Sequence, residues 1–150
     1  MSAQTSLFEL AEDAVLHFDG GSRGNPGPAA YGFVLDRPGG ERLAAVGEAI
    51  GIATNNVAEY RALIEGMRRA RELGIRRLTV HGDSKLVIEQ MKGAWRVRAE
   101  GLRALHDEAR GMARGFESVR YEHVRRGGNE EADRLVNVAL DEHAGRGAAE

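Results

Sequence analysis

Four acidic residues stand where acids are either costly or conspicuous. Asp19 closes the run Ala14-Val15-Leu16-His17-Phe18 and is followed at once by two glycines. Asp83 closes LTVHGD in the same manner, just before Ser84 and Lys85. Glu59 lies in TNNVAEYRALIEGMRRARELG. At helical periodicity Ala62, Leu63, Gly66, Ala70 and Leu73 fall within roughly 60° of Glu59, with Arg61, Glu65, Arg68 and Glu72 opposite. Glu59 is thus expected on the apolar, small-residue face, where a carboxylate is expensive unless it is paired or ligates a cation. Asp133, in NEEADRLV, borders the apolar stripe that holds Val136 and Leu140. Simpler readings exist. Asp83 could cap the helix that starts at Ser84, and Glu59 or Asp133 could be first-turn acids that favour a helix dipole. For Glu59 that alternative predicts an outward position.

If the four acids converge, their repulsion calls for a cation. The chain has no cysteine, so thiolate nucleophiles, cysteine zinc sites and disulfides are excluded. Oxygen-only donors suit hard ions, Mg²⁺ or Mn²⁺. Two such ions about 4 Å apart would clamp the attacking and leaving oxygens of a phosphodiester.

The elements that must position these acids follow from pattern. Strands are expected over 14–19, 31–36 and 42–49, the last two joined by the turn RPGGE. A long helix follows, with Thr54 or Asn55 as cap and Gly74 as stop. Next come a strand over 76–81, a short helix over 84–91 and a helix over 98–112 marked by Leu102, Leu105, Ala109 and Met112. A strand over 118–124 and a helix over 129–143 complete the series. Three strands in a meander, then strands alternating with helices, read as a mixed sheet in a three-layer α/β arrangement. Ligands of such sheets sit at the carboxyl ends of parallel strands, where Asp19 and Asp83 would share a crevice.

The 150 residues, 42% hydrophobic and 29% charged, suit one domain over 14–143 with a core of its own. Residues 1–13 form an expected N-terminal extension and 144–150 a frayed tail. No apolar run approaches the length of a membrane span, so no membrane partner is expected. MSAQTSLFELAED lacks the basic start and apolar core of a secretory signal, and a soluble cytoplasmic protein is the expectation. With a net charge of −2, any nucleic-acid role must rest on a local patch.

DGGSRGNPGPAAYG, TNNVAEYRALIEG, HGDSKLVIEQMKG and NEEADRLV, in this order and spacing, closely resemble the type 1 ribonuclease H family, from about Val15 to Leu140. The resemblance implies a five-stranded mixed sheet in the order 3-2-1-4-5, the first three strands antiparallel, with helices on both faces. It implies endonucleolytic, metal-dependent cleavage of the RNA strand of RNA–DNA hybrids by a monomer, leaving 5′-phosphate and 3′-hydroxyl ends. The family's metal-binding acids fall on Asp19, Glu59, Asp83 and Asp133. Its RNA contacts fall on Asn25, Asn55 and Asn56, and its contact to the DNA-strand phosphate on Thr54. Gly20, Gly21, Lys85, Arg126 and Asn129 complete the expected substrate surface. The glycines of the first turn are expected to give bare backbone that approaches a duplex closely, with Pro26 and Pro28 stiffening the turn. Short amides suit the 2′-hydroxyls of a wide, shallow minor groove, and helix capping is the other use for the asparagine pair.

Two features depart from the family pattern. Many members carry a histidine in a loop before the last helix, whereas here only Arg-Arg-Gly-Gly separates Val124 from Asn129. His123 is expected in the strand rather than in that role, Arg125 or Arg126 could substitute in part, and Glu130 or Glu131 could assist near a second metal. Some members also carry a long basic protrusion. Here Lys92, Trp95, Arg96 and Arg98 form the aromatic-basic cluster, either a reduced grip on the DNA strand or a core Trp beside solvated arginines. Affinity is then expected to be modest and salt-dependent. This compact form resembles a subgroup from archaea and some bacteria with wider substrate tolerance, which brings double-stranded RNA into scope. His17, His81, His106 and His143 read as structural or surface residues, although His17 and His81 lie two positions before the strand-end acids on the same face. A non-catalytic hybrid-binding module would not gather four acids where phosphates dock. GNPGP and TNNVAE disfavour a junction resolvase.

Overall fold

The computed structural model describes residues 12–149. Most of the expected N-terminal extension lies outside them. The elements are β1 (Asp13–Ser22), β2 (Gly27–Asp36), β3 (Arg42–Ala53), α1 (Asn55–Glu72), β4 (Arg77–Gly82), α2 (Lys85–Met91), α3 (Glu100–Ala113), β5 (Ser118–His123), a 3₁₀ turn (Arg126–Gly128) and α4 (Glu130–Ala149). The sheet order is β3-β2-β1-β4-β5. β1, β2 and β3 pair antiparallel, while β4 lies parallel to β1 and β5 parallel to β4. Among the described residues no helix is long and apolar enough to cross a membrane.

Strand alternation sorts the side chains into two layers. Ala14, Leu16 and Phe18 of β1 and Leu78 and Val80 of β4 are buried beneath α1. Gly66 lets that helix sit close, since a Cβ there would lie 2.6 Å from Leu16 Cδ1. Thr54 caps α1, its Oγ1 accepting from the Val57 N–H at 3.2 Å, and Gly74 leaves it at φ +79°. On the opposite face α4 packs across β2, β3 and β1. Gly32 and Gly47 make room for it: a Cβ on either would meet the Ala132 or Leu135 carbonyl oxygen at 2.6 Å. Beyond β1 this face stays open to solvent, as Arg120 and Glu122 on β5 show, with side chains 75% and 43% exposed.

Two expectations on extent need correction. β1 and β2 run together through Ser22↔Ala29, so the glycine-proline stretch is mostly ladder and only its tip is turn. The ladder is made by backbone groups, which residue pattern does not reveal. β3 continues to Ala53 for the same reason. α4 extends to Ala149, with Arg146 in its last turn complementing the dipole.

Candidate active site

Parallel pairing of β1 and β4, with Phe18 opposite Gly82, brings Asp19 and Asp83 to adjacent strand ends. Gly82 permits this closeness, because a Cβ there would lie 2.4 Å from Phe18 Cε1. Glu59 arrives from the start of α1 over Gly20. A Cβ on Gly20 would stand 2.2 Å from the Ala58 carbonyl carbon and 2.3 Å from Glu59 N. Whatever backbone it offers to a duplex from the cleft lining, this glycine also admits the helix that carries Glu59. Within the same turn Gly24 has φ +97°, and a Cβ on Gly27 would strike Arg23 O at 2.2 Å. These two glycines also serve the turn itself.

Asp19, Glu59 and Asp83 can each place a carboxylate oxygen within 4.8 Å of the others. Asp19 and Glu59 are only 6% and 7% exposed, which decides the question of inward or outward placement for Glu59. Asp83 is not needed as a cap, because Ser84 Oγ accepts from the Val87 N–H at 3.3 Å. Asp133 lines the same cleft but stands on the exposed start of α4, outside the tight triplet.

Burial and crowding reshape the electrostatics. Burial, the charge of Asp83 and the nearness of Asp133 push the Asp19 carboxyl up to about 7. Burial, followed by Asp19 and Asp83, holds Glu59 well above the usual carboxylate range, against a lowering hydrogen bond from the Gly20 backbone. Glu59 Oε2 is buried with no hydrogen-bond partner among the described residues. An orphaned carboxylate oxygen beside two further carboxylates offers oxygen-only donors that fit a hard divalent cation.

The acids line a cleft of about 720 Å³. One wall is Gly21, Ser22, Arg23 and Asn55, and the other is His123, Arg125 and Arg126. Asn55 Oδ1 accepts from Ser22 N at 2.8 Å and Ser22 Oγ at 3.1 Å, and Asn55 N donates to Asn25 Oδ1 at 3.0 Å. The side chains of Asn55 and Asn56 do not cap α1, whereas Asn25 satisfies its first N–H, and all three asparagines are exposed. Asn129 is different. It is 1% exposed, and its Nδ2 donates to Phe18 O at 2.8 Å. The expected substrate contact is thus corrected: Asn129 ties the start of α4 to the strand that ends in Asp19.

Trp95 is 43% exposed, which favours a surface over a core role. Lys85 lies away from the acid cleft, its Nζ 5.8 Å from the Trp95 ring centroid. Trp95 and Arg96 border a separate hollow of about 430 Å³ with Arg103 and Arg110, and Arg98 is exposed nearby. Sequence reasoning did not place His123 in the cleft. It ends β5 as expected, yet its Nε2 lies 3.2 Å from Asp83 O. No residue pattern signals this placement, which depends on the parallel register that sets the last residue of β5 opposite Gly82.

A family model described as reverse transcriptase-like matches residues 17–139. The bifunctional protein Rv2228c of Mycobacterium tuberculosis is 49% identical over 137 residues, covering 91% of this chain and 38% of that protein. Ribonuclease HI of Halobacterium salinarum is 47% identical over 126 residues, covering 84% and 63%. The chain therefore spans under two thirds of the length of these curated relatives. Among solved structures, the N-terminal RNase H domain of Rv2228c superposes with a TM-score of 0.87 at 48% identity, covering 90% of this chain and 98% of that one. LC11-RNase H1 in complex with an RNA/DNA hybrid gives 0.84 at 33% identity, covering 87% and 99%. The same sheet order, the acids at its carboxyl edge and these matches agree, and the chain belongs to the type 1 ribonuclease H family.

Proposed function

We propose that the protein hydrolyses the RNA strand of RNA–DNA hybrids in a reaction that needs a divalent cation, leaving 5′-phosphate and 3′-hydroxyl ends. The observation that carries this reading is the buried triplet Asp19, Glu59 and Asp83, with its unpartnered Glu59 Oε2, at the floor of an open cleft. Asp19, Glu59, Asp83 and, from the rim, Asp133 would hold Mg²⁺ or Mn²⁺. When bound, such ions activate water and neutralise charge on a leaving oxygen.

The chain's own contribution is positioning. Asn55 is fixed through its carbonyl oxygen by Ser22 and through its backbone by Asn25. Its amide N–H donors, and those of Asn25, have no partner among the described residues and suit the 2′-hydroxyls of the RNA strand. Asn56 and Thr54 sit beside them. Arg125 and Arg126 give the opposite wall positive charge. The solved hybrid complex of LC11-RNase H1 supports the same class of substrate.

The test is cleavage of an end-labelled hybrid with Mg²⁺ or Mn²⁺, beside the same RNA single-stranded and in an RNA duplex, with Asp83→Asn as control. Metal-dependent cutting of the hybrid, lost in the variant, is expected. Equal cutting of the RNA duplex would widen the substrate class. Binding without cutting would overturn the hydrolytic reading.

A further inference from the structure

The open side of the sheet carries a cluster of ligating side chains outside the carboxylate cleft. His17 on β1, His81 on β4 and Glu122 on β5 are successive partners across the parallel ladders. His17 Nε2 lies 3.2 Å from His81 Nδ1, and the two rings stand nearly perpendicular at 87°. His81 Nε2 lies 2.9 Å from Glu122 Oε2. The His81 side chain is 22% exposed, so solvent reaches it.

We propose that His17 and His81 form a second metal site, which takes a borderline transition ion such as Zn²⁺ through two imidazole nitrogens. Two nitrogens at about 2.0–2.1 Å from one tetrahedral zinc lie roughly 3.3 Å apart, close to the spacing already present here. An ionised carboxylate only accepts hydrogen bonds. Glu122 therefore places the His81 proton on Nε2 and leaves the Nδ1 lone pair facing His17. A carboxylate behind a ligating imidazole is the usual support of a histidine metal ligand. Without metal, His17 donates from Nε2 to His81. On binding, that proton moves to His17 Nδ1, and both facing nitrogens become donors to the ion. Water fills the remaining positions from the open side. Arg42, which lies near His17, is paired with Asp36 at 2.8 Å, so its charge is balanced. Nitrogen ligands select against Mg²⁺ and for zinc-like ions, which separates this site from the carboxylates.

The proposal does not depend on the hydrolytic reading. It is tested by calorimetric titration of untagged protein with ZnCl₂ near neutral pH in millimolar Mg²⁺, joined to ¹⁵N spectra of the imidazoles. One equivalent of zinc is expected, with shifts at His17 Nε2 and His81 Nδ1. His17→Gln and His81→Gln should each weaken binding at least about tenfold, and Glu122→Gln by about tenfold. Asp83→Asn and His123→Gln should bind zinc as the parent does. If a histidine variant fails to fold, the imidazole shifts in the parent decide alone. No zinc uptake, uptake unchanged in His81→Gln, or uptake lost in Asp83→Asn would each overturn the proposal.

Discussion

Replacing Asp19 by asparagine should stabilise the metal-free protein at neutral and alkaline pH. The Asp19 carboxyl rises from 3.8 to about 7 in the folded state. In the unfolded chain it ionises near its ordinary value. The folded state therefore holds a proton that the unfolded state has released across this window. Stability is fully present below about pH 4 and is lost as pH climbs through about 7. At about 1.4 kcal/mol per pH unit, the loss is on the order of 4 kcal/mol. Asp19→Asn removes it, and at 2–4 °C per kcal/mol for a chain of this size the melting temperature should rise by about 10 °C. The assay is thermal unfolding in chelator from pH 4 to 8.5. The parent curve should fall with pH, the variant curve should stay flatter, and the two should meet near pH 4. Added Mg²⁺ should raise the parent and leave the variant nearly unchanged. A variant no more stable than the parent at pH 8 in chelator would refute the claim that these carboxylates are crowded against one another.

Other outcomes follow from single contacts. Asn129→Ala removes a buried bond to Phe18 O and should cost about 1–3 kcal/mol, read as a lower melting temperature. Gly20→Ala puts a Cβ against the backbone of Ala58 and Glu59. It should cost about 3 kcal/mol or more and weaken Mg²⁺ binding measured by calorimetry. Trp95→Ala should leave the stability of the fold within about 0.5 kcal/mol of the parent. It should weaken binding of a fluorophore-labelled hybrid, as expected for loss of a contact to the DNA-strand backbone.

Much of the site was legible because its cost was legible. Glu59 on a stripe of alanine, leucine and glycine predicted burial, and it is buried. Asp19 and Asp83 were legible because an acid after an apolar strand marks a carboxyl end. The order of the sheet followed from the resemblance, and the mixed meander from the alternation of elements. Contacts that depend on backbone were not legible. The glycines of the first turn read as bare backbone for a duplex, yet Gly20 and Gly27 are each also demanded by a main-chain atom close by. Asn129 reads as a substrate contact at the start of the last helix, and only the folded chain shows the Phe18 carbonyl waiting for it. The cross-strand pair His17 and His81 needed a register that no pattern supplies.

β1 is the shared member of two unlike pairings: an antiparallel one with its near neighbour β2 and a parallel one with the distant β4. The first closes a short loop and the second a long one, so the meander should assemble ahead of the parallel half. Asp83 and Asp133 belong to segments that come later in that sequence of events. A cation held by the four acids, as proposed, would then find its full set of ligands only on the native side of the barrier. Saturating Mg²⁺ should lengthen the lifetime of the folded chain in stopped-flow unfolding and leave the refolding rate nearly unchanged. The metal would act as a latch on a finished structure and not as a seed for its formation.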